Sequence, residues 1–254
     1  MTRRTPNGPE PAKERRTPIQ PPPRLVLFDL DDTLCDYVGA RALRLRIAFS
    51  LAMAGQSPDS VMDVERLIED SLAIHPHGTE HFAELFERHD IGGAEEAAIA
   101  SNWYRANRFH GLDLFADAVQ TLQSVRQALP RRRLGMVTNG PTEVQRAKIE
   151  LLGVESHVDF IIISEEFGAW KPDPAIFREA LRLGEAEPDD AVFIGDSPDH
   201  DMAGARAAGI RAIWVNRSGL PWPAEAPSPD YEVADLAAVR RLLGVSSDGR
   251  SARS

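Results

Sequence analysis

Short apolar runs alternate with helical patterns along most of the chain, and these runs predict five core strands. The runs are RLVLFDL (24–30), RRLGMVT (132–138), VDFIIIS (158–164), AVFIGD (191–196) and RAIWVN (211–216). Helical apolar spacing precedes the last four, in AVQTLQSVRQAL, EVQRAKIELLG, PAIFREALRLG and DMAGARAAG, and several of these segments end on a glycine suited to a left-handed helix end. YEVADLAAVRRLL closes the fold. The alternation predicts an α/β fold, with a Rossmann-like parallel sheet covered by helices on both faces.

Residues 37–117 have a different pattern, without a strand-like run. Four helical patterns fill this stretch: ARALRLRIAFSLAMAG, VMDVERLIEDSL, EHFAELFERH and AEEAAIASNWYRANR. A structureless loop of about 80 residues is implausible in a compact domain. We therefore predict an all-helical domain at 37–117, inserted into an α/β core formed by 24–36 and 118–245.

Composition narrows the class of protein. The chain has 254 residues with one cysteine, Cys35, so it has no intramolecular disulfide, and we expect a reducing, cytoplasmic location. It lacks a run of 18 apolar residues, so we expect no membrane span or membrane partner, and the net charge of −10 argues against a nucleic-acid partner. Residues 1–23 are charged and proline-rich without an apolar segment, which predicts a disordered tail rather than a signal peptide, and 246–254 are predicted to be disordered as well.

Polar side chains follow the first two predicted strands. FDLDDTL places Asp29 and Asp31 at the end of the first strand, where alternate residues face one side and ligands of open α/β sheets bind. The second strand ends in MVTNG, so Thr138 and Asn139 precede a helix whose free N–H groups favour anions. Each feature alone also has a structural explanation, because aspartates are typical of turns and threonines of helix caps.

The third and fourth strands add a cation and further carboxylates. EEFGAWKPDPAIF places Lys171 between a tryptophan and a proline rather than on a helix. GDSPDHD brings Asp196, Asp199 and Asp201 to the same edge of the sheet. An aspartate cap of a helix accounts for one carboxylate there, but not for three. The four strand ends together therefore predict one polar site.

These strings resemble the haloacid dehalogenase-like hydrolase superfamily. Its motifs are D-x-D-x-T, a strand-terminal Thr or Ser, a Lys, and G-D followed by another Asp, and here they read DLDDT, TNG, KPDP and GDSPDHD. The resemblance spans roughly 24–245 and includes an insert where the family has its helical cap. It implies a Mg²⁺-dependent phosphatase that acts on a small phosphorylated metabolite, a nucleotide or a sugar phosphate, through an aspartyl-phosphate intermediate.

The resemblance also implies a role for each matched residue. Asp29 would be the nucleophile, and Asp31 would protonate the leaving oxygen and then activate water. Thr138, with Asn139, would bind the phosphoryl group, and Lys171 would balance its charge. Oxygen ligands select Mg²⁺, which offsets the repulsion between carboxylates and phosphate. The implied ligands are Asp29, the main-chain carbonyl of Asp31, and Asp196, with Asp201 in support.

Several alternatives within the superfamily stay open. Asp31 favours a phosphatase over a dehalogenase, because attack on carbon needs no proton on an ester oxygen. A phosphonate-cleaving relative is excluded, because 37–117 contains no lysine for a Schiff base. The strings TNG and ISEEFGAWKPDPAIF are most similar to the subgroup with pyrimidine 5′-nucleotidases and N-acylneuraminate-9-phosphatases. A phosphomutase, a 2-haloacid dehalogenase and a catalytically silent binding protein remain the alternatives.

Substrate specificity is expected to lie largely in the inserted domain. Its candidate residues are Tyr37, Asn102, Trp103, Tyr104, Arg105 and Arg108. A nucleobase could stack on Trp103 or Tyr104, although aromatic residues at helical spacing are more often part of a core.

Overall fold

The structure, a computed structural model, describes residues 18–54, 60–74, 78–128, 132–226 and 228–245. The chain divides into two compact units. We call Asp36–Asp113 the helical unit, and Met1–Cys35 together with Leu114–Ser254 the core unit. The helical unit begins one residue before the predicted insert and ends four residues before its predicted end.

Four α-helices account for most of the described helical unit. They are α1 (Tyr37–Ala52), α2 (Ser60–Ala73), α3 (Phe82–Arg88) and α4 (Ala94–Ala106). The unit has its own apolar core, in which the ring of Phe49 packs edge-on against Phe82 and Phe86, with centroids 4.9 and 5.7 Å apart. Tyr104 packs on Phe82 in the same way and is 5% exposed. Tyr104 is therefore a core residue in this structure rather than an exposed stacking surface.

A six-stranded parallel sheet forms the centre of the core unit, in the order β3-β2-β1-β4-β5-β6. The strands are β1 (Leu25–Phe28), β2 (Arg133–Thr138), β3 (Phe160–Ile163), β4 (Ala191–Gly195), β5 (Arg211–Val215) and β6 (Tyr231–Val233). Leu27 of β1 pairs with Gly135 of β2 on one side and with Phe193 of β4 on the other. The strand order reverses at β1, and ligands of such sheets bind beyond the carboxyl ends of the strands at this reversal.

Helices precede or follow these strands along the chain. They are α5 (Ala118–Ala128), α6 (Thr142–Leu152), α7 (Ser164–Phe167), α8 (Pro174–Gly184), α9 (Ala203–Ala207) and α10 (Leu236–Leu242). A π-helical turn, Pro198–Met202, precedes α9, so the predicted helix DMAGARAAG begins with a turn of different geometry. The parallel sheet, its surrounding helices and the all-helical insert confirm the predicted fold class.

The prediction of five strands was wrong by one. All five predicted strands are present, but Tyr231–Val233 forms a sixth within the segment predicted only to close the fold. This strand has three residues, and Glu232 interrupts its apolar character. It pairs with the sheet on one side only, through β5. A short, mixed edge strand of this kind leaves no apolar run in the sequence.

Both faces of the central strand are buried. Leu25 and Leu27 share one apolar cluster with Phe177 of α8 and Phe193 of β4, whose rings lie 5.0 Å apart in an edge-on arrangement. Val26, which alternates with them along β1 and faces the opposite side of the sheet, is also fully buried. This burial explains why β1 is an unbroken apolar run in the sequence.

Two predicted helices have a glycine near their C-terminal end, and the two glycines have different functions. Gly153 follows α6 with φ 64°, the left-handed conformation predicted for such positions. Gly184 remains inside α8, and Glu185 takes the left-handed position with φ 51°. A Cβ on Gly184 would lie 2.5 Å from a methyl carbon of Leu25. Gly184 therefore serves the close approach of α8 to β1.

The folded chain begins earlier than the predicted boundary after residue 23. Ile19 and Pro23 are buried, and the amide of Ile19 donates a hydrogen bond to the carbonyl of Leu242, 2.8 Å away. An isolated isoleucine in a proline-rich segment thus packs beside the end of α10. The rest of the predicted tails, residues 1–17 and 246–254, lies outside the described residues. In the part of the chain that is described, no helix has the length and apolar character needed to cross a membrane.

We expect Phe177→Ala to lower the free energy of unfolding by about 3–5 kcal/mol, because it removes a fully buried ring from the cluster beneath the sheet. Denaturation in urea, followed by circular dichroism, measures this loss. Leu151→Ala is the control, because Leu151 is 56% exposed on α6 and its loss should change stability by less than about 0.5 kcal/mol. Equal losses in the two variants would contradict this account of the core.

Candidate active site

Asp29 lies directly after β1, at the carboxyl edge of the sheet. Its amide donates to the carbonyl of Ile194, 2.9 Å away, which continues the pairing of β1 with β4. The Nζ atom of Lys171 lies 2.5 Å from Oδ1 of Asp29 and 2.7 Å from Oδ1 of Asp201. All three side chains are buried. One ammonium group therefore joins two carboxylates from different strand ends.

The main chain of Lys171 is held by Asn139. Oδ1 of Asn139 accepts a hydrogen bond from the amide of Lys171 (2.9 Å), and its Nδ2 donates to the carbonyl of Lys171 (3.0 Å). This reciprocal pair connects the loop after β2 to the loop that carries the lysine. It also uses both polar groups of the Asn139 side chain, and the contact of Asn139 with substrate stays a prediction.

Asp201 organises the turn after β4. Its Oδ2 accepts hydrogen bonds from the amides of Asp196 and Ser197, both at 3.1 Å, while Oδ1 binds Lys171. A Cβ on Gly195 would collide with this carboxylate, which explains the glycine before Asp196. These contacts give Asp201 a positioning function, in line with its predicted supporting role.

Three carboxylates meet in one group. Oxygen atoms of Asp29, Asp196 and Asp201 lie within 4.8 Å of one another. When all three carboxylates are ionised, the single positive charge of Lys171 leaves two negative charges in this group unbalanced. Oxygen donors with this charge fit a divalent, hard cation such as Mg²⁺. Asp199, predicted at the same edge, is exposed and does not belong to this group.

The same crowding shifts the protonation equilibria of the group. Burial raises the pKa of Asp29 to about 7, repulsion from Asp201 and Asp31 adds to the shift, and Lys171 opposes it. Burial and the neighbouring carboxylates also raise the pKa of Asp196 well above its usual value. Burial alone would lower the pKa of Lys171, but Asp201 and Asp29 outweigh burial and raise it. The lysine is therefore charged, and the carboxylates need more positive charge than it provides.

Asp31 has a separate set of partners, which the sequence did not reveal. The Nζ atom of Lys148 lies 2.9 and 2.8 Å from the two carboxylate oxygens of Asp31. Nε2 of Gln145 lies 3.2 Å from Oδ2 of Asp31. The buried stripe of α6 consists of Gln145, Lys148 and Ile149, so two of its three residues are polar. Polar residues at i and i+3 on the buried face of a helix were the available signal.

Thr138 ends β2 beside the same helix and is buried. Its Oγ1 accepts a hydrogen bond from Nε2 of Gln145 at 2.5 Å. A hydroxyl that accepts one hydrogen bond keeps its own proton for another acceptor, such as a phosphoryl oxygen.

Cys35 lies close to Asp31, with Sγ 3.6 Å from Oδ1 of Asp31, and burial raises the pKa of its thiol. A protonated, buried thiol fits a packing role for Cys35.

The profile of the haloacid dehalogenase-like hydrolases matches residues 23–209. The chain belongs to this family. Curated relatives of the chain include phosphatases, which confirms the predicted phosphatase branch. The superfamily is abbreviated HAD below.

Two curated relatives illustrate the range of the branch. The chain is 40% identical over 160 residues to a phosphoserine phosphatase of Thermus thermophilus, a match that covers 61% of this chain but only 60% of that protein. It is 29% identical over 235 residues to an N-acylneuraminate-9-phosphatase of Mus musculus, covering 87% of this chain and 93% of that protein. The second relative carries one of the two activities of the predicted subgroup.

Solved structures support the fold. A HAD hydrolase from Bacillus subtilis, solved with bound magnesium, has a TM-score of 0.69 at 24% identity and covers 87% of this chain and 99% of its own. A 2-haloacid dehalogenase from Pseudomonas syringae has a TM-score of 0.54 at 29% identity and covers 87% of this chain and 98% of its own. Phosphatases and dehalogenases thus share this architecture, and the chemistry depends on the site.

We expect Mg²⁺ to raise the melting temperature, because it would offset the repulsion among Asp29, Asp196 and Asp201. The stabilisation should reach about 2.7 kcal/mol at a concentration of 100 times Kd, which corresponds to several degrees. Asp196→Asn should remove most of this shift without lowering the melting temperature in chelator. Thermal denaturation with and without Mg²⁺ measures both effects.

The matched control is Asp199→Asn, because Asp199 lies in the same turn but is exposed. This variant should keep the full Mg²⁺ shift. NaCl at the same ionic strength should not reproduce the shift. An equal Mg²⁺ shift in Asp196→Asn would remove Asp196 from the metal site.

Proposed function

We propose that this chain is a Mg²⁺-dependent phosphatase that hydrolyses a small phosphorylated metabolite through an aspartyl-phosphate on Asp29. The observation that supports this mechanism best is that two carboxylates at one strand end have different lysine partners. Lys171 binds Asp29, whereas Lys148 binds Asp31. Two carboxylates in different environments suit two different roles, a nucleophile and an acid or base.

In the first step, a carboxylate oxygen of Asp29 attacks phosphorus while the bond from phosphorus to the ester oxygen breaks. Asp31, carrying a proton, transfers it to the departing oxygen, so the product leaves as an alcohol. Thr138 donates its hydroxyl proton to a phosphoryl oxygen, and Lys171 places a positive charge beside the reacting group. The result is an aspartyl-phosphate and a free alcohol.

In the second step, water attacks phosphorus and Asp31 accepts its proton. The bond from phosphorus to Asp29 breaks, which releases inorganic phosphate and restores the carboxylate. Asp29, Asp196 and the main-chain carbonyl of Asp31 are the groups proposed to hold Mg²⁺, which when bound supplies positive charge against the carboxylates and the phosphate. Asp201 keeps Lys171 in place through both steps.

The two curated relatives support a proposal for the class of substrate. The two relatives described above are phosphatases of phosphoserine and of an N-acylneuraminate 9-phosphate. We propose a phosphorylated metabolite of similar size, a nucleotide or a sugar phosphate included, for this chain. A cytoplasmic location remains our prediction from the single cysteine, as do the absence of a nucleic-acid partner from the net charge of −10 and of a membrane partner from the lack of a long apolar run.

A panel of phosphomonoesters tests the proposed function. The panel contains phosphoserine, sugar phosphates and nucleoside monophosphates, each with Mg²⁺ and with a chelator, and phosphate release gives kcat/KM. We expect turnover of at least one ester in Mg²⁺ and none in chelator. Undiminished turnover in chelator would contradict the metal dependence, and no turnover of any ester would contradict the proposed function.

We expect Asp29→Asn to lower kcat by about 10³-fold or more, because an amide cannot form the phosphoryl intermediate. The fold should survive, since Asp29 lies at the end of β1 and not within the apolar core. Phosphate release measures activity, and circular dichroism measures folding. Mass spectrometry of rapidly quenched wild type should find a phosphoryl adduct on the peptide with Asp29. An active Asp29→Asn variant would assign the nucleophile to another group.

We expect no halide release from 2-haloacids under conditions in which the protein releases phosphate. Asp31 is held as an acid or base, which displacement at phosphorus uses and displacement at carbon does not need. A halide electrode and a phosphate assay on the same preparation make the comparison. Halide release with a comparable kcat/KM would place the chain with the dehalogenases instead.

A further inference from the structure

Helix α6 encloses the side chain of Asp31 from one side. Lys148 donates to both oxygens of the carboxylate, at 2.9 and 2.8 Å, and Gln145 donates to Oδ2 at 3.2 Å. Lys148 is 2% exposed and Gln145 is 1% exposed, so both donors are buried. Asp31 itself keeps 21% of its side chain exposed. The carboxylate is therefore held from within the protein and retains an accessible side.

Stability alone does not explain a lysine at this position. Taking an ammonium group out of water costs about as much as its attraction to a buried carboxylate returns, so such pairs add little net stability. An apolar residue would fill the inner face of α6 at lower cost. The ion pair does have one specific effect, because donors to both oxygens fix the rotation of the carboxylate about its Cβ–Cγ bond. That rotation is otherwise broad.

Helix α6 also links Asp31 to the predicted phosphate-binding residue. The same Nε2 atom of Gln145 lies 2.5 Å from Oγ1 of Thr138. Thr138 ends β2, and α6 begins four residues later, at Thr142. The helix thus sets the distance between the hydroxyl that would bind the phosphoryl group and the carboxylate that would move the proton.

We propose that Lys148 is a positioning residue for Asp31, an inference that rests on the proposed function. Lys148 holds the carboxylate plane so that one oxygen faces the leaving group in the first step and the attacking water in the second. Lys148 touches neither substrate nor water in this role. Gln145 completes the arrangement by tying the same carboxylate to Thr138.

The first test compares Lys148→Met with Arg146→Met. Both changes remove one positive charge from α6, but Arg146 is exposed and pairs with Glu166 at 2.7 Å. With an alkyl phosphate and Mg²⁺, Lys148→Met should lower kcat by about 10-fold or more and change KM by less than about twofold. Arg146→Met should leave both constants unchanged. An unchanged or raised kcat in Lys148→Met overturns the proposal.

A double-mutant cycle separates action through Asp31 from a general structural effect. The cycle combines Lys148→Met with Asp31→Asn and uses single turnovers of 4-nitrophenyl phosphate, whose leaving group needs little protonation. Lys148→Met should slow breakdown of the phosphoryl adduct about 10-fold in the wild-type background and less than about twofold in Asp31→Asn. Equal factors in both backgrounds mean that Lys148 does not act through Asp31, which overturns the proposal.

Lys148→Arg keeps the charge and can bind both oxygens of a carboxylate, so it should retain more activity than Lys148→Met. Circular dichroism and thermal denaturation show whether each variant folds. If Lys148→Met is unfolded, Lys148→Gln replaces it in the cycle and must give the same non-additive result. If the wild type is active but the effects of Lys148→Met and Asp31→Asn are additive, this proposal is wrong and the proposed function stands. Absence of activity in wild type on every ester defeats the proposed function, and this proposal with it.

Discussion

The buried ammonium group of Lys171 is the interaction on which the site depends. It joins Asp29 at the end of β1 to Asp201 in the turn after β4, at 2.5 and 2.7 Å. Removing the lysine would leave two buried carboxylates without their positive partner, which costs far more than the ion pairs contribute. The two strand ends and the loop that carries Lys171 therefore keep one arrangement. Asn139 extends this arrangement to β2 through the main chain of the lysine.

Much of the fold was predictable because the polar residues stand at the ends of apolar runs. Parallel strands place their carboxyl ends at one edge, so Asp29 and Asp196 were expected at the same edge of the sheet. The pairing of β1 with β4 brings them close together. The edge strand Tyr231–Val233 was not predictable in this way, because three residues of mixed polarity give no periodic signal.

The contacts of individual side chains were harder to predict from the sequence. The family resemblance implies that Asn139 binds the phosphoryl group. In the structure, its side-chain amide holds the main chain of Lys171, a contact that the sequence did not predict. Lys148 and Gln145 lie in a segment whose helical spacing is clear, yet a periodic pattern does not tell which face a long polar side chain covers. Only the packing of α6 beside the end of β1 shows that Lys148 meets Asp31. The polar spacing on α6 marks Gln145 and Lys148 as unusual, but it does not identify Asp31 as their partner, because that depends on tertiary distance.

The two lysines pair with different carboxylates at one strand end and differ in how much negative charge they balance. Lys171 faces more carboxylate charge than it can neutralise, which leaves the group around Asp29 with the charge that suits a divalent cation. Lys148 donates two hydrogen bonds to Asp31, so its positive charge balances the charge of that carboxylate. A cation attracted to the site is thus directed to Asp29 and Asp196, and the side chain of Asp31 stays available for proton transfer. The separation of the two roles follows from where each lysine is placed, although the two aspartates are only two residues apart.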